Sequence, residues 1–155
     1  MAGSAPPQEV VDRHAGRELA GPLSANSWEG WALLVGVHDG DTIAVVLELV
    51  PGHFFRVPVR LCGVDACELR DPDPAARTLA QRARARVEEL LTCSGDRMVH
   101  LSCTRRDKYG RQLAEVFPRL GGRSVSRILL DEGLAVPYSG GRRRAASAVD
   151  VATRQ

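Results

Sequence analysis

The fold is decided by the segment WALLVGVHDGDTIAVVLELVPGHFFRVPVRLC, residues 31–62. Three runs within it, 31–37, 43–50 and 53–62, are rich in β-branched and aromatic residues, which favour strands. The Asp-Gly dipeptide between the first two runs is typical of a tight hairpin turn, and the Pro-Gly dipeptide between the last two suits a type I or II turn. The segment therefore predicts a three-stranded meander.

A helix, a second hairpin and a second helix are predicted downstream of the meander. Asp73 is a good N-cap, and apolar residues then recur at spacings of three and four to about residue 91. Residues 98–104 and 112–117 are again strand-like, with a charged turn between them. Residues 122–132 predict a helix that Gly133 closes as a C-cap.

The order β-β-β-α-β-β-α, with short hairpins and one helix between the third and fourth strands, is typical of a five-stranded barrel of the OB type. We therefore expect a mainly β fold of the α+β class with two to three helices. The chain has 155 residues, of which 44% are hydrophobic, so it can bury a sizeable core. We expect one domain over residues 30–140.

Both ends of the chain have the composition of tails. Residues 1–29 are rich in Ala, Gly, Pro, Ser and charge, which predicts a disordered N-terminal tail. Residues 141–155 are predicted to be a C-terminal tail, in which the Ala-rich stretch 145–153 suits a short helix. Because neither an apolar run of about 18 residues nor an export signal is visible, we expect no membrane association and, by default, a cytoplasmic location. We also expect a monomer.

Charge and cysteines constrain function only weakly. The net charge is +2, and Lys108 is the only lysine among many arginines. Arginine suits forked contacts with phosphate, although a GC-rich genome would explain its use equally well. The four cysteines lack C-x-x-C spacing, which disfavours a zinc site. Buried free thiols are expected, and one or two disulfide bridges stay open as an alternative.

Acidic residues follow two of the predicted strands. Asp39 and Asp41 occupy the first turn, and Asp65 and Glu68 come directly after the third strand. If the first and third strands are neighbours, these acids converge, and such a cluster is costly without a cation because like charges disfavour joint ionisation. Oxygen-only ligands favour a hard ion such as Ca²⁺ or Mg²⁺.

Two arginines accompany these acids. Arg60 lies on the third strand, and Arg111 lies at the foot of the second hairpin. A cation and arginines that stabilise charge on phosphate oxygens are what phosphodiester hydrolysis requires. Each element alone has an ordinary explanation, since an Asp-Gly turn, a solvated strand arginine and a polar turn are common. Their combined order and spacing favour the catalytic interpretation.

Three blocks make the chain resemble the staphylococcal nuclease (thermonuclease) family. They are DGDT at 39–42, RLCGVDACE at 60–68 and DKYGR at 107–111, with a weaker block GLA at 133–135 followed by Tyr138. The resemblance implies an OB-fold, SNase-like enzyme that hydrolyses DNA and RNA with Ca²⁺, with single strands preferred. It also implies cleavage of the 5′ P–O bond, which leaves 3′-phosphate ends.

The resemblance assigns metal-site and catalytic roles position by position. Asp41, Asp65 and the backbone carbonyl of Ala66 match the calcium ligands, and Asp39 would lie behind them. Glu68 matches the general base, or the residue that orients the attacking water.

The same resemblance assigns the substrate contacts. Arg60 and Arg111 match the pair that clamps the phosphate and stabilises its transition state. Lys108 and Tyr109 would hold a terminal phosphate, and Tyr138 would stack on a base.

The chain departs from the family pattern at Ala66-Cys67, where Thr-Pro is usual, and loss of the proline would loosen the loop that aims Glu68. Two other functions stay open. One is a catalytically inactive OB-fold module that binds nucleic acid or protein. The other is an accessory component of a larger assembly, in which the tails make the contacts.

Overall fold

The computed structural model describes residues 26–140. Its strands are β1 (Glu29–Val37), β2 (Thr42–Val50), β3 (His53–Leu61), β4 (Val64–Asp65), β5 (Met98–Arg106), β6 (Gln112–Phe117) and β7 (Val136–Pro137). Its helices are α1 (Pro74–Thr92), between β4 and β5, and α2 (Val125–Asp131), between β6 and β7. None of the helices in this part of the chain is long and apolar enough to span a membrane.

Five strands close into a barrel in the order β1-β2-β3-β6-β5. The pairs β1–β2, β2–β3, β5–β6 and β1–β5 are antiparallel, and the parallel pair β3–β6 completes the barrel. Strands β4 and β7 form a separate two-stranded sheet. The predicted OB-type barrel with two helices is therefore confirmed. The further helix predicted in residues 141–155 and most of the N-terminal tail lie outside the described residues.

The acids were expected to converge if β1 and β3 were neighbours, but in the structure these two strands are not neighbours. Both flank β2, and they pair with it rather than with each other. The acids still come to one end of the barrel, since the β1–β2 loop and the segment after β3 leave the sheet on the same side. The β2–β3 register is anchored there by pairing of Thr42 with Arg60.

Helix α1 begins and packs as its sequence predicts. The Asp73 side chain accepts a hydrogen bond from the backbone N–H of Ala75, and Pro74 occupies the first turn. One face is buried and lined mainly by small residues, which lets the helix approach the barrel closely. These residues are Ala76, Ala80, Ala83, Val87 and Leu91.

Helix α2 is shorter than predicted at its start. Its N-cap is Ser124, whose hydroxyl accepts a hydrogen bond from Arg127 N–H. The helix does not begin earlier because the chain turns at residues 121–122, where Gly121 has φ +77°. Its end agrees with the prediction: Gly133 adopts φ +61°, and Leu134 N–H bonds back to the carbonyl of Leu129 at 2.8 Å. This six-to-one bond is a Schellman termination.

All four cysteines are free thiols, so no disulfide forms among the described residues. The expectation of buried thiols is only partly right. Cys67 and Cys103 are buried, Cys62 is half-buried and Cys93 is exposed, because Cys93 caps the solvent-facing end of α1. Burial raises the pKa of Cys62, and it raises the pKa of Cys103 to about 11, so these two thiols stay protonated near neutral pH.

Gly40 is needed for packing rather than for turn conformation. The turn at 51–52 does use a left-handed glycine, Gly52 with φ +78°, but Gly40 does not adopt that conformation. A Cβ on Gly40 would lie 2.7 Å from the Cβ of Ala83 and 2.8 Å from the Cβ of Ala66. The β1–β2 loop therefore packs directly on α1 through three small residues.

Gly40→Ala is expected to lower the free energy of unfolding by about 1–3 kcal/mol, because overpacking forces neighbouring backbone to shift. Urea denaturation measures the loss. Gly36→Ala is the matched control, since a Cβ there meets nothing within 4 Å, and its effect should stay within about 0.5 kcal/mol. Equal losses in both variants would contradict the close approach of loop and helix.

Candidate active site

Arg60 is held between two buried carboxylates. Its Nη1 lies 2.6 Å from Asp41 Oδ2, and its Nη2 lies 2.7 Å from Asp65 Oδ1. The three side chains are at most 5% exposed. One guanidinium against two carboxylates leaves a net negative charge away from bulk water, which favours a nearby cation.

Local chain geometry explains how the three residues meet. Asp41 directly precedes β2, and its carbonyl accepts a hydrogen bond from Leu61 N–H at 2.8 Å, which holds it beside the end of β3. Gly63 then turns the chain with φ +76° and leads into β4. The turn returns Asp65 to the guanidinium, which also donates to the carbonyl of Val64 at 3.2 Å.

The Asp41 carboxylate is fixed by further bonds. Its Oδ2 accepts from the backbone N–H of Ala66 at 3.1 Å, and its Oδ1 accepts from the Thr42 hydroxyl at 3.0 Å. The same hydroxyl accepts a hydrogen bond from Arg111 Nη1 at 3.2 Å. A continuous network therefore runs from Asp65 to Arg111 through Arg60, Asp41 and Thr42.

Arg111 is oriented by the turn that precedes it. Its Nε donates to Asp107 Oδ2 at 2.8 Å, while Asp107 Oδ1 accepts from the backbone N–H groups of Tyr109 and Arg111 at 2.9 Å each. Burial by itself would raise the pKa of Asp107, but these hydrogen bonds and the Arg111 charge outweigh it, and the pKa is lowered. Asp107 is thus a carboxylate that aims Arg111.

Residues of this network line two clefts. The first, of about 520 Å³, is lined by Asp39, Asp41, Ala66 and Glu68 among others, and we call it the carboxylate cleft. Glu68 is exposed at its rim. Burial, and next the charge of Asp41, raise the pKa of Asp39, as expected where acids crowd together.

The second cleft, of about 590 Å³, adjoins the other side of the Arg60–Asp41 pair, and we call it the basic cleft. Two tyrosine rings line it. Tyr109 is 71% exposed, and its ring centroid lies 4.9 Å from Lys108 Nζ. The ring of Tyr138 lies 5.7 Å from Arg60 Cζ. Its charged lining residues are Arg60, Arg105, Arg106, Asp107, Lys108 and Arg111.

The predicted metal ligands do not form a ready-made cluster of side chains. Within residues 26–140, no three His, Cys, Asp or Glu side chains lie close enough to hold a metal by themselves. The reason is that Arg60 separates Asp41 from Asp65. The side-chain oxygens of Asp41 and Asp65 and the Ala66 carbonyl are donors of the type that hard cations prefer.

Cys67 gives the loop before Glu68 a different anchor from proline. Its side chain is 2% exposed and packs with Ala76 and Ala80 of α1 in a small cluster. Burial against the helix thus restrains a segment that was expected to be loosely held because it lacks the proline.

The sequence alone did not identify three residues of the site, Thr42, Arg105 and Arg106. Thr42 lies within the DGDT block and the two arginines directly precede the DKYGR block, and this position in the sequence could have identified them.

Comparison with known proteins relates the chain to nucleases. Residues 58–152 match the family model described as Staphylococcal nuclease homologue. Over 97 residues the chain is 37% identical to Endonuclease YncB of Bacillus subtilis (strain 168), covering 63% of this chain and 43% of that protein. It is 36% identical over 97 residues to SPbeta prophage-derived endonuclease YokF of the same strain, covering 63% and 30%.

Two limits of these matches bear on the site. The aligned region spans less than half the length of each relative. The family match begins at residue 58, so it includes Arg60, Asp65 and Arg111 but not Asp39 or Asp41.

Removal of Arg60 would leave two buried carboxylates without compensation. Arg60→Met should lower the free energy of unfolding by about 3–5 kcal/mol when divalent cations are chelated. Added Ca²⁺ should restore part of the loss, because it supplies the missing positive charge. Thermal denaturation with chelator and with Ca²⁺ measures both effects.

Arg86→Met is the matched control for this experiment. Arg86 is paired with Glu132 on the surface, so its loss should matter much less and should not respond to Ca²⁺. A Ca²⁺ response that is absent from Arg60→Met, or equal in the two variants, would contradict a cation site at the carboxylates.

Proposed function

The chain belongs to the staphylococcal nuclease homologue family, and we propose that it is a Ca²⁺-dependent nuclease that hydrolyses phosphodiester bonds of DNA and RNA. The observation that supports this most directly is the network from Asp65 to Arg111. It joins Asp41 of the carboxylate cleft to Arg60 and Arg111 of the basic cleft. A phosphate bound between Asp41 and these arginines would contact both sets of groups.

Asp41, Asp65 and the Ala66 carbonyl would hold the cation. When bound, the ion neutralises charge on a non-bridging phosphate oxygen and favours deprotonation of the attacking water. The acidic surroundings support this assignment, since the Asp41–Arg60–Asp65 set is one positive charge short of neutrality and Asp39 lies beside it.

Arg60 and Arg111 would bind the scissile phosphate and stabilise the additional charge of its transition state. A guanidinium donates two parallel hydrogen bonds to phosphate oxygens. Both side chains are already held by carboxylates, Arg60 by Asp41 and Asp65 and Arg111 by Asp107. Such preorganisation avoids the cost of orienting the donors during reaction.

Glu68 would orient the attacking water or accept its proton, since it lines the carboxylate cleft. The water oxygen would form a bond to phosphorus while the bond from phosphorus to the 5′ oxygen breaks, and the leaving 5′ oxygen would take a proton from solvent. The products are a 3′-phosphate end and a 5′-hydroxyl end. Tyr109 and Tyr138 would stack on unpaired bases, which favours single strands and gives little sequence preference.

One observation favours a second candidate, an OB-fold module that binds nucleic acid without cleaving it. It is the lack of a three-acid cluster among the described residues. Incubation of the purified protein with single-stranded DNA and RNA in millimolar Ca²⁺, with and without chelator, separates the two functions. Cleavage that needs Ca²⁺, leaves 3′-phosphates and collapses in Glu68→Gln supports the nuclease. Binding without cleavage under all conditions supports the module.

Arg111→Ala should lower kcat by about 10²-fold or more, because it removes a donor to the transition state. Steady-state kinetics on a single-stranded oligonucleotide measures the loss. Arg119→Ala removes an exposed arginine that lines neither cleft, and its kcat should match the unaltered protein. An unchanged kcat in Arg111→Ala would show that Arg111 does not stabilise the transition state.

A further inference from the structure

We propose that Arg105 and Arg106 form a further phosphate subsite in the basic cleft, which binds a nucleic-acid phosphate beyond those at Arg60, Arg111 and Lys108. This rests on the proposed function for the nearer phosphates. Both arginines line the cleft and lie at the exposed end of β5. The subsite would make a longer single strand a better ligand than a dinucleotide.

A β-bulge explains why consecutive arginines line one cleft. Side chains of successive residues in a regular strand point to opposite faces. In β5, Cys103 pairs with Ala114 and Arg106 pairs with Gln112, so residues 104–105 together face a single residue of β6. Bulges re-aim side chains and are common beside active sites.

Gln112 and Thr104 hold the bulge in place. Gln112 is fully buried, and its Nε2 donates to the carbonyl of Arg105 at 2.9 Å. The Thr104 hydroxyl donates to the carbonyl of Leu113 at 3.3 Å. The backbone that carries the two arginines is therefore set before any ligand binds, which lowers the ordering cost of binding.

Charge in the cleft favours a polyanion. Arg60 is compensated by Asp41 and Asp65, and Arg111 is compensated by Asp107. Asp107 is the only acid that lines the basic cleft in the described part of the chain.

With Arg105 and Arg106, five basic side chains and one acid line the basic cleft in the described part of the chain. Arginines beside the exposed ring of Tyr109 and the half-buried ring of Tyr138 suit the phosphates and bases of a single strand rather than an acidic peptide.

The salt dependence of binding tests the subsite. The full-length chain and an Arg105→Gln/Arg106→Gln double variant are titrated, in chelator, into a labelled oligothymidylate of about 12 nucleotides, within the site size of an OB fold. Each phosphate contact to a single strand contributes about 0.7 to the slope of log affinity against log salt concentration. Because the subsite binds one phosphate, the double variant should lose about 0.7 in slope, and each single variant less than that.

Three controls make the result specific. Arg82→Gln/Arg119→Gln removes two exposed arginines outside both clefts and should keep the original slope. An Arg105→Lys/Arg106→Lys variant keeps the charges and should recover most of the slope. Binding of a dinucleoside monophosphate, which is too short to reach the subsite, should be the same in the unaltered chain and the glutamine variant.

An unchanged slope in the folded double variant would overturn the subsite, and so would an equal loss in the Arg82/Arg119 control. Displacement of the oligonucleotide by polyglutamate of equal charge would overturn it in favour of an acidic protein. Cleavage by the unaltered chain is measured in parallel with Ca²⁺. If the unaltered chain does not cleave but the double variant shows the expected loss of slope, the nuclease function is contradicted and the subsite is supported. If the unaltered chain cleaves but the slope is unchanged in the double variant, the nuclease function is supported and the subsite is contradicted.

Discussion

The buried guanidinium of Arg60 between Asp41 and Asp65 is the interaction on which the site depends. Removing charges from water costs several kcal/mol per ion, and attraction repays that cost only with close contacts and further hydrogen bonds. Here those bonds come from Thr42 and from the backbone of Ala66 on one carboxylate, and from the Val64 carbonyl on the guanidinium. These ion pairs and hydrogen bonds thus hold together the β1–β2 loop, the end of β3 and the segment that follows it.

Small residues give this charged set its support. Gly40, Ala66 and Ala83 bring the loop, the segment after β3 and helix α1 into direct contact. Cys67, next to Ala66 in the chain, also packs against α1 and extends this contact. Backbone therefore positions Asp41 and the Ala66 carbonyl, while Glu68 is exposed at the rim.

Local features of the fold were predictable from sequence, and long-range ones were not. Hairpins and helix caps depend on nearby residues, so the Gly52 turn, the Asp73 N-cap and the Gly133 C-cap agree with the structure. Strand order and register depend on partners far along the chain. The parallel pairing of β3 with β6 and the bulge at 104–105 could not be inferred from periodicity.

The site residues, too, were predictable from sequence, whereas their long-range contacts were not. The acids and arginines were identified from residue type, order and resemblance. In the structure Asp39, Asp41 and Glu68 line one cleft, Arg60 and Arg111 line the other, and Asp65 is buried against Arg60. That Arg60 would separate Asp41 from Asp65, and that Thr42 would link Asp41 to Arg111, requires the β2–β3 register. Those links are tertiary, so they have no signature in the linear sequence beyond adjacency to the DGDT block.

A crystal structure of the full chain with Ca²⁺ and a non-hydrolysable single-stranded oligonucleotide would locate the cation and the phosphate in the site. We predict an ion bound by Asp41, Asp65 and the Ala66 carbonyl, with a phosphate between that ion and the guanidinium groups of Arg60 and Arg111. An oligonucleotide bound on another face of the barrel, or a phosphate at the arginines with no ion at the carboxylates, would contradict it.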